Sequence, residues 1–331
     1  MGLNPPEEMY VPDYLGPDDA DYSKALAYVE GGFCPLAEAK VSVRDFGLTH
    51  ADYTYDVFHS WKGGIFCLEE HMDRFERSLA GLHLDPGLTR QQMTELLMEG
   101  IARSGLRDTI VYYACLRGVP PNGSRDPLKA KNHFLFYVQP LVLRGQPAEM
   151  RRGLSVMVSP DVRRIPSDSV DPHLKNSHWG DFTRALFPAR AAGFDTTVLL
   201  NHEGFLAEGP GFNVVIVEGN RLSAPDSNVL QGVSCRMMME IAGELGLETA
   251  YEPIAPERLM EADEIFITST SCGLFPVTRI DGRIVGNGAP GPLSVRLLNE
   301  YYRRKDAGWH ITPVDYDRFS NHEQHGREGR D

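Results

Sequence analysis

An enzyme that uses an amine nucleophile needs a lysine desolvated enough to lose its proton near neutral pH. The lysines of this chain are Lys24, Lys40, Lys62, Lys129, Lys131, Lys175 and Lys305. Lys62 falls in a Lys-Gly-Gly turn, Lys129 and Lys131 in a charged loop, Lys305 beside Arg303-Arg304, and Lys24 and Lys40 among polar residues. Lys175 differs. Its surroundings, Asp171-Pro172-His173-Leu174-Lys175-Asn176-Ser177-His178-Trp179-Gly180-Asp181, are aromatic, histidine-rich and proline-punctuated, and they precede a helical pattern. A loop of this kind can aim a side chain inward, although composition alone makes Lys175 one more surface lysine.

Three further segments bear on the question. In Gly232-Val233-Ser234-Cys235-Arg236 a glycine turn leads into an apolar helix, whose N–H groups and dipole suit a phosphate; a Ser-capped helix is the plainer reading. Thr268-Ser269-Thr270-Ser271-Cys272-Gly273 offers a second cluster of donors, or merely closes the strand before it. Leu206-Ala207-Glu208-Gly209-Pro210-Gly211-Phe212-Asn213 sets a carboxylate among glycines, where backbone can approach a flat ring, or forms a simple β-turn.

The elements that must position these residues follow from periodicity. Ala27 to Phe33 and Tyr53 to Leu68 read as hairpins, Glu69 to Leu82 and Thr89 to Ser104 as helices, and Ile110–Leu116 and His133–Val138 as strands. From Leu143 to Gly153 no apolar period holds, which predicts a connector over 143–153 between a domain at 1–142 and another at 154–318. The second half alternates strands (Leu154–Val158, Thr196–Leu200, Phe212–Val217, Glu264–Thr268) with helices (Asp181–Ala192, Ser234–Leu245, Pro292–Arg304). A polar leader and a polar tail over 319–331 flank the two domains.

Bulk properties narrow the function. With 331 residues, two domains are expected. A net charge of −13 disfavours nucleic acid and anionic lipid as partners. No long apolar run predicts a membrane span, and the beginning of the chain lacks a secretory pattern. Cys34, Cys67, Cys115, Cys235 and Cys272 lie far apart with no C-x-x-C spacing, which suits reduced thiols in a cytoplasmic setting and no metal site.

Taken together, the segments resemble the fold-type IV pyridoxal-phosphate enzymes, the group of branched-chain and D-amino-acid aminotransferases and (R)-selective amine transaminases. The resemblance spans nearly the whole chain. Its most specific motifs resemble the amine transaminases: His50-Ala51-Asp52-Tyr53-Thr54-Tyr55-Asp56-Val57, Val162-Arg163-Arg164-Ile165-Pro166, Asp171 to Asn176, Trp179-Gly180-Asp181 and Glu208 to Asn213. The resemblance implies a two-domain α+β and α/β fold, with a smaller N-terminal α/β domain and a larger C-terminal domain with a barrel-like β core. It implies that Lys175 holds pyridoxal 5'-phosphate as a Schiff base and that Glu208 faces the pyridine nitrogen. Arg74, the N–H groups of Val233 and Ser234, and the Thr270 hydroxyl would hold the phosphate, unless Arg74 forms a surface ion pair with Glu70 or Asp73. The matching substrate positions are His50, Tyr55, Val57, Ile110, Tyr112 and Trp179, with Arg125 as the cation for a keto-acid carboxylate or a solvated loop residue. Ile110 and Tyr112 depart from the phenylalanine and acidic residue common there.

The implied reaction moves an amino group from a primary amine, (R)-configured, to a keto acid such as pyruvate, in a homodimer where His50 reaches the neighbouring site. Alternatives are a branched-chain or D-amino-acid aminotransferase, an aminodeoxychorismate-lyase-type eliminase, and a catalytically silent scaffold.

Overall fold

The computed structural model describes residues 8–12 and 19–320. Most of the expected leader and tail lies outside the described residues; Phe319 and Ser320 close the short helix Tyr316–Ser320. The chain forms two compact units. One takes residues 19–142, Leu174–Ser177 and residues 310–320; the other takes residues 8–12, Leu143–His173 and His178–Trp309. Within 143–153, Pro147–Arg152 forms a helix.

The first unit is built on a seven-stranded antiparallel sheet in the order Ile311–Pro313, Gly64–Phe66, Tyr53–Trp61, Thr109–Leu116, His133–Pro140, Leu26–Val29, Gly32–Pro35. Two of its hairpins turn through paired positive-φ residues, Glu30-Gly31 and Lys62-Gly63, the handedness that matches strand twist. Alternation along the strands separates two faces. Phe58, Val111, Tyr113, Phe134 and Phe136 point into a core with Met72, Phe75, Met93, Leu97 and Ile101, which recur at helical spacing on Leu68–Gly81 and Arg90–Ser104. Each such side chain, fully buried, contributes about 1.5–3 kcal/mol. The opposite face carries Tyr53, Tyr55, Val57, Ile110, Tyr112, Leu135 and Tyr137.

The second unit holds a nine-stranded mixed sheet. Its path runs Glu248–Tyr251, Arg221–Ala224, Phe212–Glu218, Glu264–Ser269, Gly273–Ile280, Leu154–Arg163, Thr196–Leu200. Glu208–Gly209 pairs with Phe212–Glu218, Leu200 bridges Leu206, and the Ala207 N–H donates to Leu199 O at 2.9 Å. The segment 206–209 thereby joins the last strand back to Phe212–Glu218, and the sheet curls into a barrel-like core. Strand Phe212–Glu218 is buried almost throughout and carries the apolar run Val214–Val217. Helices Gly180–Ala191, Val233–Glu244 and Pro292–Asp306 complete the unit. No described helix is long and apolar enough to cross a membrane, and the five cysteines are thiols, not disulfides.

Packing in the first unit has a sharp test at Gly100, whose Cβ, if present, would lie 2.5 Å from Phe136 Cε2. Alanine gains about 1 kcal/mol of helix propensity there but overpacks a filled core at about 1–3 kcal/mol. We expect Gly100→Ala to lower the thermal midpoint. Gly243→Ala, on a helix with open space around it, should leave it equal or higher; the reverse ranking would refute this account of the core.

Candidate active site

The segment bearing Lys175 is held by its backbone. Its N–H donates to Ser78 Oγ (3.0 Å), and its carbonyl accepts from Thr54 Oγ1 (2.6 Å) and from the Tyr55 N–H (3.4 Å). Thr54 and Asn176 form a β-bridge, Ser177 Oγ donates to Ala51 O at 3.2 Å, and Leu174 occupies the space that a side chain at Gly81 would need. Residues 174–177 thus lie against Tyr53–Trp61 through a single β-bridge. The half-buried Lys175 extends its Nζ to 4.7 Å from the Tyr55 ring centroid, a cation–π distance.

Next to it, in the same unit, lies a buried ionic cluster. Arg74 donates from Nε to Asp56 Oδ2 and from an Nη to Asp56 Oδ1, both at 2.7 Å, and His71 Nδ1 lies 2.9 Å from Asp56 Oδ1. Burial alone would raise the Asp56 pKa, but the Arg74 charge and the hydrogen bonds from Arg74 and His71 outweigh it and hold the carboxyl well below the carboxylate range. Burial lowers the His71 pKa; Asp56 opposes this, while the Arg74 and Lys175 cations add to it. The net effect favours the neutral imidazole. Arg74 is therefore not in the surface pair with Glu70 or Asp73 left open by sequence: its partner is Asp56, fully buried on the adjoining strand.

In the second unit Asn213 organises the site. It pairs with Glu208 on one side and Thr268 on the other, and its Nδ2 donates to Leu230 O at 2.8 Å. Its Oδ1 fills the space where a Cβ of residue 232 would stand, so only glycine fits there. Glu208, Thr268 to Thr270 and Gly232 to Ser234 are consequently gathered at one end of the curled sheet. Glu208 is buried; its Oε1 accepts from Arg164 Nε and its Oε2 from the Leu230 N–H, each at 3.1 Å. Arg164 also donates to Asp181 Oδ2 at 2.6 Å, so one guanidinium serves two buried acids. Gly232 is the N-cap of helix Val233–Glu244 and no side chain caps it. Ser234 sits inside the first turn, not at the cap, so the Ser-capped alternative does not hold. By contrast Thr89 caps Arg90–Ser104 in a capping box.

The remaining substrate candidates divide. Tyr55, Val57, Ile110 and Tyr112 share the open face of the first unit's sheet, where Tyr55 stacks on Tyr112 (centroids 5.0 Å) and Tyr112 on Tyr137 (5.1 Å). Burial and the Tyr53 phenol push the Tyr112 pKa upward, so it is a neutral phenol. Beside them a cavity of about 420 Å³ is lined by Leu48, Tyr53, Tyr112, Leu135 and Ser177, among others. His50 is exposed, with Nδ1 2.8 Å from Thr49 Oγ1. Trp179 belongs to the second unit, over Gly211 and edge-on to Phe182. Arg125 is exposed in a loop and is not joined to the others.

An uncapped helix terminus for a phosphate and a buried carboxylate for a ring nitrogen, in a unit whose sheet curls on itself, suit a phosphorylated pyridine cofactor, and the architecture is that of the fold-type IV enzymes. The chain belongs to the family described as amino-transferase class IV, matched over residues 54–280. It is 32% identical over 290 residues to a putative branched-chain-amino-acid aminotransferase of Methanocaldococcus jannaschii, covering 87% of this chain and 99% of that one. It is 27% identical over 266 residues to the D-alanine aminotransferase of Bacillus licheniformis, covering 80% and 91% respectively. A branched-chain amino acid aminotransferase of T.th., solved with pyridoxamine 5'-phosphate, superposes with a TM-score of 0.81 at 27% identity, covering 88% of this chain and 98% of that one. The protein is a pyridoxal-phosphate-dependent aminotransferase, and its substrates are amines and keto acids.

Sequence reasoning assigned no role to Asp56, Arg164 or Asn213. Arg164 lay in the motif Val162 to Pro166 that the sequence singled out, but nothing in residue type pointed to its partners.

The Asp56 cluster yields a stability test. Asp56→Asn leaves the Arg74 charge buried without its carboxylate, which costs about 3–5 kcal/mol. The folded-state pKa is depressed, so the native carboxylate stabilises the fold above the unfolded value near about 4 and that contribution is lost as pH falls below it. Thermal midpoints should show a large gap between wild type and variant at neutral pH that narrows below about pH 4. A gap independent of pH would contradict the assignment.

Proposed function

We propose that Lys175 carries the cofactor and that the enzyme transfers the amino group of an apolar (R)-configured primary amine to a keto acid such as pyruvate. The observation that carries the amine preference is the face around Tyr55. None of the residues alternating on that face of Tyr53–Trp61, Thr109–Leu116 and His133–Pro140 is Lys or Arg. An apolar substituent is accommodated there, whereas a carboxylate lacks a charged partner.

When bound, pyridoxal phosphate would supply an electron sink for breaking the substrate's Cα–H bond. Lys175 would accept the Cα proton and return it as general base and acid. Its fixed backbone confines the amine to one side, which supports a single stereochemical preference. Glu208 keeps a proton on the pyridine nitrogen, oriented by Arg164 and the Leu230 N–H. The N–H groups of Val233 and Ser234 with the Thr270 hydroxyl bind the phosphate. Arg74, held by Asp56, supplies a cation for the phosphate. Arg125 receives the keto-acid carboxylate. The protein acts as a homodimer in which His50 reaches the neighbouring site; the exposed Val41, Val43 and Leu48 around His50 support a covered surface.

A second reading, a branched-chain or D-amino-acid aminotransferase, is favoured by the relatives' names and by the Tyr112 phenol, a neutral donor that tolerates a substrate carboxylate where an acid would repel it.

The two readings separate in one absorbance experiment on the holoenzyme. We expect (R)-1-phenylethylamine, and not its (S) enantiomer, to bleach the lysine-bound cofactor band, with recovery on adding pyruvate. Bleaching only by D-alanine or L-leucine would move the assignment to the second reading. In Arg125→Ala the recovery step should slow while bleaching is unchanged; equal slowing of both would remove Arg125 from the site. Ile110→Phe narrows the pocket, and turnover of bulky ketones relative to acetophenone should fall by about tenfold or more. An unchanged ratio would mean that Ile110 does not bound the substrate.

A further inference from the structure

Away from Lys175, three side chains with different donor atoms converge where the last strand joins the first unit. Cys67 Sγ, a Glu70 carboxylate oxygen and a His310 ring nitrogen all lie within 4.8 Å of one another. Cys67 is buried, while Glu70 and His310 are half-buried, so the cluster has one closed side and one side open to solvent.

The backbone holds these donors in place. Cys67 is the N-cap of helix Leu68–Gly81, and Glu70 lies three residues on, in the first turn. Ile311 pairs with Phe66, and the Cys67 N–H donates to His310 O at 2.9 Å, so His310 and Cys67 flank one register pair. Both adopt left-handed backbone conformations, φ 54° at Cys67 and 52° at His310, uncommon for residues with side chains. His310 Nδ1 lies 3.2 Å from Glu70 Oε1. As it stands this is a histidine–glutamate pair beside a thiol; a metal ion in place of the shared proton draws all three donors to one centre.

We propose that Cys67, Glu70 and His310 form a binding site for a divalent ion of borderline softness, of which Zn²⁺ is the type. Thiolate, imidazole and carboxylate are the three ligand kinds such an ion accepts together, at about 2.0–2.3 Å, with water completing a tetrahedron. Ca²⁺ and Mg²⁺ require oxygen ligands and are excluded by the thiolate. Binding displaces the thiol proton of Cys67 into solvent as the S–metal bond forms. The ion ties strand Ile311–Pro313 to the start of helix Leu68–Gly81, and thus closes the outer edge of the first unit's sheet.

Cobalt(II) is the probe, added to untagged, chelator-treated holoenzyme. One equivalent should give the intense visible bands of a tetrahedral ion and a thiolate charge-transfer band. Any cobalt taken up by His322 and His325, in the sequence beyond residue 320, would carry no thiolate signature. Cys67→Ser should abolish the charge-transfer band, and His310→Ala and Glu70→Gln should each weaken binding at least about tenfold. The lysine-bound cofactor absorbance reports that each variant is folded. Absence of the thiolate band in the wild type, or its survival in Cys67→Ser, overturns the site. Should Cys67→Ser fail to fold, unchanged cobalt affinity in both other variants overturns it equally. The readout is independent of which amine the enzyme uses.

Discussion

The placement of Lys175 depends on how its backbone is tethered. A lysine side chain is long and entropically costly to hold, and fixing its tip without fixing its root achieves little. Here the root is bonded on both sides of the residue, through Ser78 on helix Leu68–Gly81 and through Thr54 and Tyr55 on the neighbouring strand. The bonds are local in space and remote in sequence, so the residue is only as well placed as the sheet and helix that hold it.

The same logic of indirect support governs charge. Three of the buried acids are matched by buried arginines: Asp56 by Arg74, and Asp181 and Glu208 by Arg164. Arg164 thus serves two carboxylates at once. In the first unit the Arg74–Asp56 pair is bidentate and geometrically demanding, which favours a supporting role for that arginine.

Long, strongly periodic elements were legible in the sequence: Thr196–Leu200 to the residue, and the helices at 68–81, 90–104, 180–191 and 233–244 to within a position or two. Short polar strands were not. Arg221–Ala224 and Glu248–Tyr251 carry too few apolar residues to show a period, and they are strands because a neighbour supplies the hydrogen bonds. Leu154–Arg163 runs past its expected end through a register irregularity, which has no signature in residue type. For the site, residue chemistry singled out Lys175, Glu208 and the Gly232 turn. What it could not supply was the partners, because Asp56 with Arg74 and Asn213 with Gly232 are matched by three-dimensional proximity alone. Ser234 illustrates the ambiguity: a serine at a helix start looks like a cap until the steric need for glycine at 232 moves the cap back.

The division of the chain between its units bears on how the molecule is made. Residues 174–177 and 310–320 belong with a unit whose other strands come from residues 26–140. Synthesis from the amino terminus delivers that sheet early, with the edge of Tyr53–Trp61 unpaired where Asn176 will bridge it and the edge of Gly64–Phe66 unpaired where Ile311–Pro313 will lie. An open edge of this kind is a template for pairing with other chains. The nascent enzyme therefore carries two exposed strand edges once residue 140 has emerged; residues 174–177 can seal the first soon afterwards, whereas the second waits until residues 311–313 have followed.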